Sequence, residues 1–181
     1  MMTEDSSLPN SKYAIISTLE IVEINFLMSL KGLKPELVPK QVHEEINHIA
    51  WIVGHCVSHM DWYLSIFFDE RKLTDEHRNY HAFGASKNEI KDYPFSFKEL
   101  IDNYLKISKK FFKKLNELSE EKYYQKPSSD AREIFLKMIQ RISLHIMGHV
   151  GQIVILRRML GDPYWSFIGG VGEEERKKLK A

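Results

Sequence analysis

Four stretches of this chain repeat apolar residues every three or four positions, and none alternates apolar with polar. Such a chain folds as helices that each bury one stripe. Ile15, Leu19, Val22, Phe26 and Leu30 mark the first, over about 11–31, before Gly32, Pro35 and Pro39 break the pattern. His48, Ile52, His55, His59, Trp62 and Ile66 mark the second, over about 41–69, and place three histidines on a side expected to look inward. Phe97, Leu100, Ile101, Tyr104, Phe111, Leu115 and Leu118 mark the third, over about 96–118; Ser96 and Glu99 have the spacing of a capping box at its start. Ile134, Met138, Ile142, His145, His149, Gln152, Leu156 and Leu160 mark the fourth, over about 129–160. Ser128 or Ser129 is expected to cap it, and Gly161-Asp162-Pro163 to end it. Periodicity is lost between Asp69 and Phe95, which predicts a long connection with room for a short helical turn. The expected fold is all-α, a single-domain four-helix bundle over 1–181, with a mobile charged tail at 173–181.

A chain of 181 residues can build a full core without disulfides, and its single cysteine, Cys56, rules out an intrachain disulfide or a multi-cysteine metal cage. No apolar run approaches the roughly 20 uninterrupted residues of a membrane span. The opening residues are acidic and polar and do not read as a secretion signal, so the expected location is the cytoplasm, with no membrane partner. A net charge of +1 argues against a polyanion binder. The lysine stripe of the third helix (Lys106, Lys109, Lys110, Lys113, Lys114) reads as solvated surface rather than a nucleic-acid contact, since no reader motif accompanies it and Glu117, Glu120 and Glu121 follow.

The chemistry sits in His145-Ile-Met-Gly-His149. Side chains at i and i+4 share a helix face, so two imidazoles can reach one cation, and the third ligand must come from elsewhere. The second helix offers His48, His55 and His59, among which spacing does not choose. Three imidazoles leave a divalent cation with open positions, the arrangement of a catalytic rather than a closed site, and Zn²⁺, Ni²⁺, Fe²⁺ and Mn²⁺ all accept such ligands. Two other metal architectures fail on spacing. A di-iron centre needs a second Glu-x-x-His beside Glu45-Ile-Asn-His48, but positions 142 and 146 are isoleucines; a zincin needs a second histidine where Asn47 stands. His77-x-x-x-His81 lies in the irregular connection and is expected to be a pair of solvated loop histidines, with a lid over the metal as the sharper reading.

The segments Ile49-Ala-Trp51-Ile-Val-Gly54-His55 and His145-x-x-x-His149-x-Gly151-Gln152 resemble the DinB-like superfamily of metal-binding four-helix bundles, to which bacillithiol- and mycothiol-dependent transferases belong. The resemblance implies His55, His145 and His149 as the ligands of a divalent metal. Family members often carry Arg where Val150 stands here, a departure that bears on substrate. On this reading His59, Gln152 and His48 become supporting or acid/base candidates around the ligands. The implied activity is a metal-dependent transfer of a low-molecular-weight thiol to a small electrophilic substrate, with hydrolysis next. A non-catalytic metal-binding or sensing bundle is the rival. Cys56 follows His55 directly and points about 100° away, which makes it a poor nucleophile. Tyr164-Trp165-Ser166-Phe167 reads either as a cap on one end of the bundle or as a homodimer contact.

Overall fold

Helix α1, Ser11–Leu30, begins where Asn10 accepts a hydrogen bond from the Tyr13 amide, so the first turn is capped by side chain rather than water. In the computed structural model, which describes residues 10–85 and 93–162 together with Glu174 and Lys177, five further helices follow: α2 (Ile49–Phe68), α3 (Asp75–Tyr80), α4 (Phe97–Glu117), α5 (Glu120–Tyr123) and α6 (Phe135–Met159). A one-turn 3₁₀ segment, Pro35–Leu37, lies between α1 and α2. No strand occurs among the described residues, as the apolar spacing requires.

The long helices pack α1 on α6, α6 on α2 and α2 on α4, and Leu19, Phe26, Val53, Leu64, Leu100, Phe111, Ile139 and Ile146 fill the shared core. α1 meets α4 through side chains: Phe26 and Tyr104 rings lie 4.4 Å apart, and the Ser108 hydroxyl donates to the buried Glu23 carboxylate. Against the expectation that no stretch approaches a membrane span, α1 is by length and composition apolar enough to cross one; 61% of that window is buried inside the protein, as in a core helix. Arg157, only 1% exposed, ties the end of α6 to the end of α1: its Nη1 donates to the Ser29 and Lys31 carbonyls, and its Nη2 pairs with Asp162.

Two boundaries differ from the sequence reading. The second helix starts at Ile49 rather than about 41, because side chains in 41–48 bond the local backbone and compete with helix. Gln41 donates to the Glu44 and Ile46 carbonyls, and His43 Nδ1 accepts from the Glu45 amide. The fourth starts at Phe135 rather than 129: neither Ser128 nor Ser129 caps it, and the Phe135 amide bonds Gln125 O at 2.9 Å instead. The polar stretch after α4 contains the single turn α5, whose Tyr123 is buried and donates to Leu115 O. Other expectations hold: Ser96 accepts from the Glu99 amide at 3.1 Å, and Gly161 takes a left-handed φ of 76°. Lys110 and Lys114 of the basic stripe pair with Glu70. Residues 164–167 and most of 173–181 lie outside the described residues.

Candidate metal centre

His55 and the pair His145/His149 are 90 positions apart in sequence and meet because α6 packs on α2. Their candidate ligand nitrogens all lie within 4.8 Å of one another. Two metal–nitrogen bonds end to end span about 4 Å, so a small rotation of the rings brings three nitrogens onto one ion. Ring centroids are 5.1 Å apart for His55–His145 and for His55–His149, and 4.6 Å for His145–His149. The histidine face of α2 is half-buried at the edge of the core; Val53, Cys56, Val57, Met60 and Leu64 face the deep interior.

The protein fixes which nitrogen each ring offers. His55 Nδ1 lies 2.7 Å from the carbonyl oxygen of His81, so the N–H is at Nδ1 and the Nε2 lone pair is free to bind. His149 Nδ1 lies 2.8 Å from Gln152 Oε1 and is oriented in the same way one turn on. Nε2 of His145 is buried and has no hydrogen-bond partner, a costly state for a polar atom unless something not made of protein completes it. The donor set therefore fits a divalent cation. Burial pushes the basicity of all three rings down, His145 to about 3 with help from its imidazole neighbours, so they are neutral near pH 7, as ligands must be.

The other candidates fall in different places. His59 is one turn from His55 and its ring lies 4.0 Å from that of His145; its Nδ1 is buried without a partner, and burial lowers its pKa to about 4. His48 is not on the histidine stripe of α2 but is the cap of that helix, its Nδ1 accepting from the Trp51 amide at 3.1 Å. Cys56 is fully buried, and burial drives its thiol pKa up, which keeps it protonated.

His77 and His81 are not solvated loop residues. Both are buried, on and just after α3, which Thr74 caps. His81 Nδ1 lies 2.8 Å from His77 O, and its Nε2 lies 2.7 Å from the Tyr93 hydroxyl, which also reaches Ala50 O at 3.0 Å. His77 Nδ1 meets Ser58 at 3.2 Å, and Trp51 Nε1 donates to Tyr80 O while its ring stacks on His55 at 4.7 Å. This clip lays the connection over α2 and delivers the His81 carbonyl to His55. It works only because residue 54 is glycine: a Cβ there would stand 2.2–2.5 Å from three atoms of the His81 ring.

Sequence reasoning missed this clip, although two signals for it were present. One is a glycine inside an apolar helical run, where it costs helix stability and so marks a close approach. The other is Thr74-Asp75-Glu76, a cap followed by two acids, which is a helix start.

Beside the three imidazoles opens a cavity of about 430 Å³, walled by Ser58, His59, Trp62, Arg78 and the clip residues His81, Ala82 and Phe83. No curated protein and no solved structure matches the chain. A family model described as a protein of unknown function, DUF1572, matches residues 16–171, nearly the whole of the described helical core, and the chain belongs to that family.

Proposed function

We propose that the chain is a DinB-like four-helix bundle, with α1, α2, α4 and α6 as its long members, that holds a divalent cation through His55, His145 and His149. It acts as a metal-dependent transferase of a low-molecular-weight thiol, or as a related hydrolase. The observation that carries this reading is the convergence of three neutral imidazoles, one with an orphaned buried nitrogen and two, His55 and His145, in the wall of an open cavity.

When bound, a divalent cation supplies Lewis acidity and lowers the pKa of a thiol or water at its open position. The residues do the rest. His81 O and Gln152 Oε1 hold the His55 and His149 rings in the tautomer that offers Nε2. His59 Nδ1, neutral near pH 7 and without a partner, stands at the cavity wall as the acceptor for a ligand proton. Trp62 and the clip segment wall one side of the cavity.

Replacing His145 with alanine is expected to reduce bound metal from about one equivalent per chain to near zero, because two imidazoles do not hold a divalent ion against buffer. Elemental analysis of purified protein and variant measures this, and equal metal in both would end the reading. Thiol consumption with a generic electrophile, run with and without chelator, then separates catalysis from structure. If the activity does not depend on metal and metal removal only lowers the melting temperature, the chain is a structural or sensing bundle.

A further inference from the structure

The cavity beside the three imidazoles is polar at one end only. At that end it is walled by His55, His59 and His145, and His55 Nε2 is left free by the bond that its Nδ1 makes to His81 O. Away from those three histidines, the polar side chains of the wall are engaged within the protein. The Ser58 hydroxyl meets His77 Nδ1, and both ring nitrogens of His81 are bonded, to His77 O and to Tyr93. The Arg78 guanidinium donates to Leu73 O and Asp75 and lies 3.9 Å from the buried Asp61 carboxylate, which balances its charge. What remains open is apolar. Phe83 stands on the lip with 96% of its surface exposed and no ring partner among the described residues, and Trp62 on the opposite helix is 44% exposed. Two large aromatic side chains bordering one cavity form an apolar rim of the kind that lines small-molecule pockets.

We infer that this site takes a small ligand with a compact polar head and a flat apolar body, of the arene class, whose head lies at the imidazoles and whose body lies against Phe83 and Trp62. The inference rests on the metal-centre reading and adds to it the substrate class. An anionic ligand is disfavoured because Arg78 is neutralised. A peptide is disfavoured because the wall presents no donors or acceptors for its backbone. The volume of about 430 Å³ is in the range that encloses a small organic molecule.

The test holds the metal-binding head constant and varies the body. Metal-loaded full-length protein is titrated calorimetrically with acetohydroxamate, benzohydroxamate and 4-carboxybenzohydroxamate, first as wild type and then as Phe83→Ala and Trp62→Ala. Benzohydroxamate is expected to bind at least about tenfold more tightly than acetohydroxamate, the gain from covering one ring. In either variant that ratio is expected to shrink to about threefold or less. Phe83 is almost wholly exposed, so its replacement leaves the fold intact and the readout clean. Equal binding of the two neutral probes, or a ratio that the variants do not change, overturns the inference. Tightest binding by the carboxylated probe overturns it in favour of an anion site at Arg78. Metal-loaded protein that discriminates nothing refutes the substrate class alone, whereas protein that carries no metal and binds no hydroxamate refutes the metal reading beneath it.

Discussion

Gly54→Ala is expected to destabilise the protein by about 3 kcal/mol, although alanine is the better helix former by about 1 kcal/mol at an ordinary interior position. The reversal comes from the clip. The new methyl would occupy the space of the His81 ring, with three ring atoms at 2.2–2.5 Å from it. His81 is fully buried and bonded at both nitrogens, so it cannot move aside without losing those bonds and withdrawing the carbonyl that orients His55. Two consequences should appear together: a fall in thermal stability, and a fall in metal affinity of about 10–100-fold, the usual cost of losing a ligand's orienting partner. Adding His81→Ala to Gly54→Ala makes room for the methyl and is expected to restore part of the stability. In a double-mutant cycle that coupling identifies the clash as the cause. A single variant as stable as the parent would show that the clip does not pack on α2 in this way.

Acid is the second strong lever. His48 and His77 are buried with their basicity lowered to about 4, and His81 to about 3, in each case chiefly because burial penalises the charged ring. In the unfolded chain these rings take up protons as the pH drops through about 6.5, while in the folded chain they stay neutral well below that. The unfolded state therefore binds more protons in this window, and stability falls as the pH falls. It is complete above about pH 6.5 and is lost progressively down to about pH 4. At pH 5 each ring costs about 2 kcal/mol, so the three together remove on the order of 4–6 kcal/mol, much of the stability of an ordinary domain. Denaturant unfolding at pH 7.5 and pH 5, with chelator present so that metal loss plays no part, measures the difference. Equal unfolding free energies at the two pH values would show that these histidines are not held neutral in the interior.

The parts of the molecule legible in the sequence are those governed by local periodicity. Ile15 to Leu30 and Phe97 to Leu115 carry strong stripes with caps at their starts, and α1 and α4 fall within a residue of where the spacing puts them. The starts of α2 and α6 were misplaced because backbone partners outside the helix decide them: the Ala50 amide bonds Val38 O, and the Phe135 amide bonds Gln125 O, which no short window of sequence records. At the site, spacing brought out the pair His145 and His149, and the resemblance selected His55 among three histidines on one stripe. The structure brings that trio together and sends His48 to a cap. For His77 and His81 the sequence marks a close approach at Gly54 and a helix start at Thr74, but not what approaches, because that depends on the gap across the helix and on the Tyr93 hydroxyl arriving from the far side of the connection.

The two-helix origin of the trio sets an order on events during synthesis. His55 leaves the ribosome 90 residues before His145, and α6 is the last of the long helices described. On the proposed metal reading, a nascent chain carries His55 but neither His145 nor His149, and the trio is complete only after α6 closes against α2. Loading of the trio would then follow folding, and a chain that stops short of position 145 keeps only one of its three rings.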